Sequence, residues 1–321
     1  MNYDNFKGIG YTELMGKAKP GSFLSISDLT PAEIKALVED AIRLKSLGWI
    51  SLLKHKTLAL LFEKPSLRTR VSFEMAMRQL GGEAIYLSPA EVGLGTRESI
   101  PDVARVLSRM VDGIACRTFA QETVEQLAEW GSIPVINALS DYEHPCQALA
   151  DLQTIKEHKG KLKGLTLAYI GDGNNCANSL MLACAMVGLN FRIASPKGYS
   201  VKQAVLTQAR KYAKVSGANI VCSEKPYEAI KDADIAYTDT WTSTGQEAET
   251  KIRRKAFTGY QVNEDLLSQA NKNVIVMHPL PAHHGEEVAK GLLDSKRSVV
   301  FDQAENRLHA QKAVLKKFLG E

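Results

Sequence analysis

The chain has little that marks a secreted, membrane-spanning or metal-holding protein. Its 321 residues include only five cysteines, Cys116, Cys146, Cys176, Cys184 and Cys222, and no two of them form a C-x-x-C. An odd count without paired spacing argues against a disulfide framework and against a zinc site. No apolar run approaches the ~20 residues that a bilayer span requires. The segment from Met1 to Gly21 lacks the apolar core of a signal peptide. Net charge is only +4 and no block of Lys or Arg stands out, so neither nucleic acid nor membrane is an expected partner. The adjacent His283 and His284 could suggest a metal, but no cysteine stands at ligand spacing, and no metal or other cofactor is expected. These absences point to a cytoplasmic protein acting on small molecules.

What is present is ordinary globular composition, 45% hydrophobic and 24% charged, with length enough for two domains. Strand-like and helix-like segments alternate. Thr30, Pro31 and Glu33 open a helix that runs to Leu47, with a cap, a proline and an acidic first turn. Apolar runs at 57–62, 84–87, 113–116 and 134–137 read as strands, with helices at 71–80, 98–110, 123–130 and 145–158. A charged, Gly-bearing linker follows at 159–164. The alternation then restarts, with strands at 165–170, 191–194, 220–222, 234–237 and 274–277, and a last helix at 301–321. This rhythm predicts an α/β fold of two doubly wound domains, each a mostly parallel sheet flanked by helices. In such sheets ligands sit beyond the carboxyl ends of the strands.

The most telling stretch is Phe62-Glu63-Lys64-Pro65-Ser66-Leu67-Arg68-Thr69-Arg70. It places two hydroxyls and two guanidiniums where a strand turns into a helix. Helix N-termini offer free N–H groups and a positive dipole end, a site for phosphate, and arginine adds forked donors that match phosphate oxygens. Read alone, the stretch is more readily a capped helix with surface ion pairs, Ser66 or Thr69 serving as the cap. Five further polar loops stand at strand ends, however. They hold Arg117, His144-Pro145-Cys146-Gln147, Gly171-Asp172-Gly173-Asn174-Asn175, Thr238 to Gly245, and His278-Pro279-Leu280-Pro281.

Taken together, these motifs resemble the aspartate/ornithine transcarbamylase family, and its ornithine-using branch in particular. Arg117-Thr118-Phe119 and Phe301-Asp302-Gln303-Ala304-Glu305-Asn306-Arg307 add to the match, in order and spacing, from about Phe23 onward. The resemblance implies a carbamoyl-phosphate-binding domain at 1–148, completed by a returning C-terminal helix at 302–321, and an amino-acid-binding domain at 149–301. It implies carbamoyl transfer from carbamoyl phosphate to the side-chain amine of L-ornithine, giving L-citrulline and phosphate in arginine biosynthesis. It also implies a homotrimer or a multiple of trimers, and no cofactor.

By that resemblance Ser66, the backbone of Leu67, Arg68 and Thr69 hold the phosphate, while Arg117, His144 and Thr69 polarise the carbonyl. Gln147 takes the carbamoyl NH2, and Arg307 and the backbone at Pro279 and Leu280 complete the donor site. Asp239, Asn175, Ser243 and Thr244 hold the amino acid, and the loop 242–254 closes over it. Arg70 has a supporting role, paired with Glu74.

The chain departs from the family's ornithine pattern at Leu67, Gly93, Thr244 and Pro279; the last two touch the acceptor pocket. Another diamine or diamino acid is therefore the nearest rival acceptor. Aspartate is disfavoured, because 241–245 carries no cation for a second carboxylate. An NAD-dependent dehydrogenase fails on its fingerprint, since Cys176 stands where the third glycine belongs and no acid ends the next strand. A non-catalytic homologue is the remaining alternative; Arg68, Arg117, His144, Gln147 and Asp239 speak against it.

Overall fold

The computed structural model describes residues 21–320. The reading of Met1 to Gly21 falls, except for Gly21, outside these residues. The first sheet holds β1 (Thr57–Phe62), β2 (Glu83–Leu87), β3 (Gly113–Arg117) and β4 (Val135–Leu139) in the order β2-β1-β3-β4. The second holds β5 (Thr166–Ile170), β6 (Asn190–Ala194), β7 (Ile220–Ser223), β8 (Ile235–Tyr237) and β9 (Ile275–Met277) in the order β7-β6-β5-β8-β9. The pairings between these strands are parallel. Strands buried on both faces read as near-continuous apolar runs; β4 and β5 are buried along their whole length, with Asn137 and Thr166 their polar members, and β1 is buried from its second residue.

Around the first sheet lie α1 (Pro31–Leu47), α2 (Leu67–Gln79), α3 (Pro89–Val92), α4 (Ile100–Leu107) and α5 (Gln121–Trp130). The pillar α6 (Pro145–Lys159) leads into the second lobe. That lobe carries α7 (Asn175–Val187), α8 (Gln203–Ser216), α9 (Pro226–Ile230), α10 (Thr250–Ala256) and α11 (Glu264–Leu267), and α12 (Val300–Leu319) closes the chain. Thr30 and Glu33 form the expected capping box on α1, with Pro31 in the first turn. The helix expected at 98–110 is shorter. Ser99 caps it, and the chain turns out beyond Leu107, leaving Met110 73% exposed.

The terminal helix α12 packs against α1, α2 and α6. Its buried Lys312 donates from Nζ to the carbonyls of Leu44 and Gly48, both at 2.8 Å, and so caps the end of α1. One apolar cluster runs from Phe23 through Leu152 and Ile155 of α6 to Leu180 and Met181 of α7. The two lobes therefore share a core across α6. Among the described residues no helix is long and apolar enough to cross a membrane.

Both sheets reverse their winding direction at one point, between β1 and β3 and between β5 and β8. Register pairs Phe62 with Arg117 in the first sheet and Tyr169 with Tyr237 in the second. The loops after these strands therefore emerge side by side, the place where doubly wound sheets bind ligands.

Candidate active site

Ser66 ends the β1–α2 turn, and its Oγ accepts from the Thr69 N–H at 3.3 Å. The helix thus begins at Leu67, four residues before the apolar periodicity would start it, and Arg68 and Thr69 fall in its first turn. The N–H groups of that turn have no partner within the helix, and the dipole end is positive. The Leu67 side chain is 74% exposed, so only its backbone belongs to the site. Arg70 Nε reaches Glu74 at 2.8 Å, the expected pair, and its guanidinium stacks over Tyr86.

Thr69 is fully buried and acts as a hub. Its Oγ1 accepts from Arg307 Nη2 at 2.7 Å and from Arg117 Nη1 at 3.4 Å, and lies 3.0 Å from the Ser66 hydroxyl. The two arginines can only donate and together fill the lone pairs of this oxygen, so the Thr69 proton is the one that can serve Ser66 Oγ or a ligand. Arg68, Arg117 and Arg307 thus converge from α2, β3 and α12, each with a buried Nε that has no hydrogen-bond partner. Burial first, then neighbouring guanidiniums, push Arg117 and Arg307 down to about 10. Lys64 joins them, pushed down to about 8 by burial and by Arg117. Repelling cations with unused N–H groups beside a helix N-terminus are matched by one kind of ligand, a multiply charged anion.

His144 caps α6 and its backbone N–H donates to Ser179 Oγ at 2.9 Å. Burial, then Arg307 and Arg117, hold its imidazole well below the usual histidine range, so it is neutral and offers one N–H. One turn on, Gln147 Nε2 donates to Asp151 Oδ1 at 2.9 Å, and Gln147 Oε1 is buried without a partner. Cys146 is fully buried beside them; burial pushes its thiol up to about 12, which makes it packing rather than a nucleophile.

The facing wall comes from the second sheet. Gly173 follows β5, and a Cβ there would stand 2.2 Å from the Val201 nitrogen, so only glycine fits. Asn174 caps α7 and donates from Nδ2 to Asp239 Oδ2 at 2.8 Å; Asp239 Oδ1 accepts the Thr240 N–H. Asn175 is turned inward, its Nδ2 on the Ser140 carbonyl at 2.6 Å. The loop after β8 is pinned by Arg253, which donates to Asp172 at 2.8 Å and to the Trp241 carbonyl at 3.0 Å. Arg254 pairs with Glu286 at 2.6 Å. After β9, Leu280 sits at φ 57, a costly conformation for a branched residue. Its N–H donates to His278 Nδ1 at 2.9 Å, and His278 Nε2 faces the buried Glu287 at 3.2 Å.

These elements enclose a cleft of about 330 Å³. Ser66, Arg68, Arg117, His144, Asn175, Asp239, Ser243, Thr244, Pro279, Leu280 and Arg307, named from sequence, all line it. Thr69 and Gln147 stand behind the wall. Sequence reasoning gave no role to Lys64, Thr240 or Glu286, which also line the cleft, nor to the supports Asp151, Arg253 and Glu287. Asp151 was within reach, one helical turn after Gln147. Arg253 and Glu287 carry no local signal, because their partners lie on other loops.

Comparison with known proteins bears on this geometry. Residues 21–157 match the carbamoyl-P binding domain of aspartate/ornithine carbamoyltransferases, and residues 163–318 match the Asp/Orn binding domain. The chain belongs to the aspartate/ornithine carbamoyltransferase family. Within it, the ornithine carbamoyltransferase of Anoxybacillus flavithermus is 54% identical, covering 94% of this chain and 96% of that protein. That of Bacillus subtilis is 52% identical over 96% of this chain and 95% of its own length. The solved structure of ornithine carbamoyltransferase from Pyrococcus furiosus superposes with a TM-score of 0.90 at 50% identity, covering 93% of this chain and 96% of that one. The paired sheets and the returning terminal helix are thus the family's architecture.

Proposed function

We propose that the protein transfers the carbamoyl group of carbamoyl phosphate to the side-chain amine of L-ornithine, giving L-citrulline and phosphate. The observation that carries this reading is the opposition of the two walls. Arg68, Arg117, Arg307 and Lys64 face Asp239 across one cleft, with unpaired buried N–H groups on the cationic side. A dianionic acyl donor fits the first wall and an ammonium-bearing amino acid the second.

In this reading Ser66, the N–H of Leu67, Arg68 and Thr69 hold the phosphate. Arg117, neutral His144 and the Thr69 hydroxyl stabilise the carbonyl oxygen as its charge grows in the tetrahedral transition state. Gln147 Oε1, an acceptor without a partner, suits the carbamoyl NH2. Arg307 and the backbone at Pro279 and Leu280 complete the donor site. Asp239 holds the amino acid's ammonium, and Asn175, Ser243 and Thr244 its carboxylate side. The unprotonated side-chain amine attacks the carbonyl carbon, and the C–O bond to phosphate breaks. The phosphate departs with the bonding electrons and can accept a proton. No enzyme nucleophile is required, and much of the acceleration comes from holding two small reactants in one geometry.

Aspartate is a poor acceptor here. Asp239, Glu247 and Glu286 line that wall, and its one arginine, Arg254, is already paired to Glu286. The lobes are assigned as 1–148 with 302–321 for the donor and 149–301 for the acceptor. A homotrimer or a multiple of trimers goes with this reading; Leu67, Val71 and Ile85, all exposed on the first lobe, give it an apolar face to bury. The test is citrulline formation with ornithine, lysine, putrescine and aspartate as acceptors, beside an Arg68→Ala control. Ornithine should be fastest and the control nearly inactive. Fastest turnover of aspartate, or full activity without Arg68, would overturn the reading.

A further inference from the structure

We propose that Asp151 is a positioning residue for the carbamoyl donor, fixing the Gln147 amide so that its oxygen, not its nitrogen, faces the cleft. The inference rests on the reading in which Gln147 receives the donor's NH2. The two ends of a glutamine amide are nearly equal in size but opposite in hydrogen-bonding sense. Turned over, Gln147 would set its own NH2 against that of the donor, two hydrogen-bond donors with nothing to accept.

Asp151 decides between the two states. It lies one turn after Gln147 on α6 and is 1% exposed. Its Oδ1 accepts from Gln147 Nε2 at 2.9 Å and from Gln303 Nε2 at 2.7 Å, and its Oδ2 accepts from the Tyr237 hydroxyl at 3.0 Å. Burial raises this carboxyl to about 7 against the pull of the Gln147, Gln303 and Tyr237 donors; in its ionised form it only accepts, so the end of Gln147 that faces it is the NH2. Gln303 is fixed in turn, because its Oε1 accepts the His278 N–H at 2.9 Å. A chain of ordered groups therefore runs from the loop after β9, through α12, to Asp151 and Gln147. It ends on Gln147 Oε1, a buried acceptor without a partner. Tyr237 ties the same carboxylate to β8, two residues before Asp239. An asparagine at 151 would keep its oxygen toward the fixed Gln303 NH2 and so still accept from Gln147, whereas a leucine has nearly the same branched shape and accepts nothing, so it keeps the packing and removes the instruction.

The experiment is a double-mutant cycle on the assembled protein, with Asp151→Leu, Gln147→Ala and both, reading carbamoyl phosphate affinity and the ornithine KM. D151L should weaken donor affinity about tenfold, the value of one buried hydrogen bond made or lost, and leave the ornithine KM nearly unchanged. In the Q147A background the same change should add almost nothing, because there is no amide left to orient. Equal losses in both backgrounds would show a merely structural role and overturn the proposal. A Q147A protein with undiminished donor affinity would instead overturn the reading of Gln147 on which the proposal stands, so the two failures are distinct. If D151L does not fold, Tyr237→Phe enters the same cycle. By loosening Oδ2 it should weaken donor affinity about threefold with Gln147 present and not without it; an equal loss in both backgrounds is again the overturning result.

Discussion

In the wall built by Lys64, Arg68, Arg117 and Arg307, the three arginines stand on regular structure, the first turn of α2, the end of β3 and a buried position on α12, and Lys64 stands in the short bend between β1 and α2. The wall built by Asp239, Glu247 and Glu286 stands on loops, 238–249 and 279–287, held by ion pairs such as Arg253–Asp172 and Arg254–Glu286. In the proposed reading, the difference follows the two tasks. Stabilising charge that grows on a carbonyl requires donors fixed before the reaction begins. Admitting one amino acid and releasing another requires segments that can open, and loops pinned at a few points do that at lower cost than a sheet edge. The cationic wall is also the more strongly repelling one. It is held together by a neutral hub, Thr69, and by the packing of α12, not by carboxylates.

The contrast breaks first at the cationic wall. Arg117→Ala and Arg68→Ala should each lower kcat/KM about 100- to 1000-fold, with the carbamoyl phosphate KM rising and the ornithine KM little changed. A loss confined to ornithine would reverse the assignment of the walls. Next comes Asp239→Asn, which removes a charge from the acceptor wall while sparing its shape. It should raise the ornithine KM about 10- to 100-fold, the value of a charge-assisted hydrogen bond. Calorimetry should find carbamoyl phosphate binding nearly intact; if both substrates are lost together, the walls are not independent.

How much of this was legible in the sequence follows the same division. The cationic wall was read almost completely, because Ser66, Arg68 and Thr69 are neighbours in one motif and Arg117 directly ends a strand. The alternation of strands and helices was also readable; the return of α12 to the first lobe followed only from the family resemblance. The acceptor wall was read only as a set of loops with named residues at strand ends. Its geometry depends on contacts between loops far apart in the chain, such as Arg253 to Asp172, 81 positions away, and His278 to Gln303, 25 away. Periodicity carries no information about such pairs. The first turn of α2 was placed late for a different reason: Leu67 and Arg70 face outward there, so the apolar rhythm starts only after the cap has already fixed the helix.

A smaller effect is expected from the pin beneath the acceptor loop. Asp172 is 7% exposed, and burial raises its carboxyl to about 6 even against the pull of Arg253. Arg253→Gln leaves that carboxyl buried and unpaired, a loss of about 3 kcal/mol. Without the arginine its pKa rises further. A carboxyl whose folded pKa lies above its unfolded value loses stability as pH rises through that interval. The melting temperature of the variant should therefore fall further below the parent at about pH 8 than at about pH 5. An equal gap at both would mean that Asp172 does not feel the arginine.

Lys64 gives the finest test, because it asks whether a residue without a role in the sequence reading belongs to the cationic wall. Its ammonium sits 4.6 Å from the Phe119 ring centroid and is pushed down to about 8, by burial first and by Arg117 second. Below that value the amine is charged and adds to the anion site; above it the amine is neutral. A bound dianion favours the charged form, so donor affinity is full below about pH 8 and declines as pH rises through it, by no more than about tenfold per unit for one proton. Lys64→Arg keeps its charge across this range and should flatten the decline. Lys64→Met should also be flat, at the weaker affinity that the parent reaches at high pH. A parent curve already flat from about pH 7 to 9 would take Lys64 out of the cationic wall. A decline that persists in the arginine variant would do the same, since the titrating group would then be another. Only the combination of a falling parent and two level variants, one strong and one weak, places the charge of Lys64 on the donor.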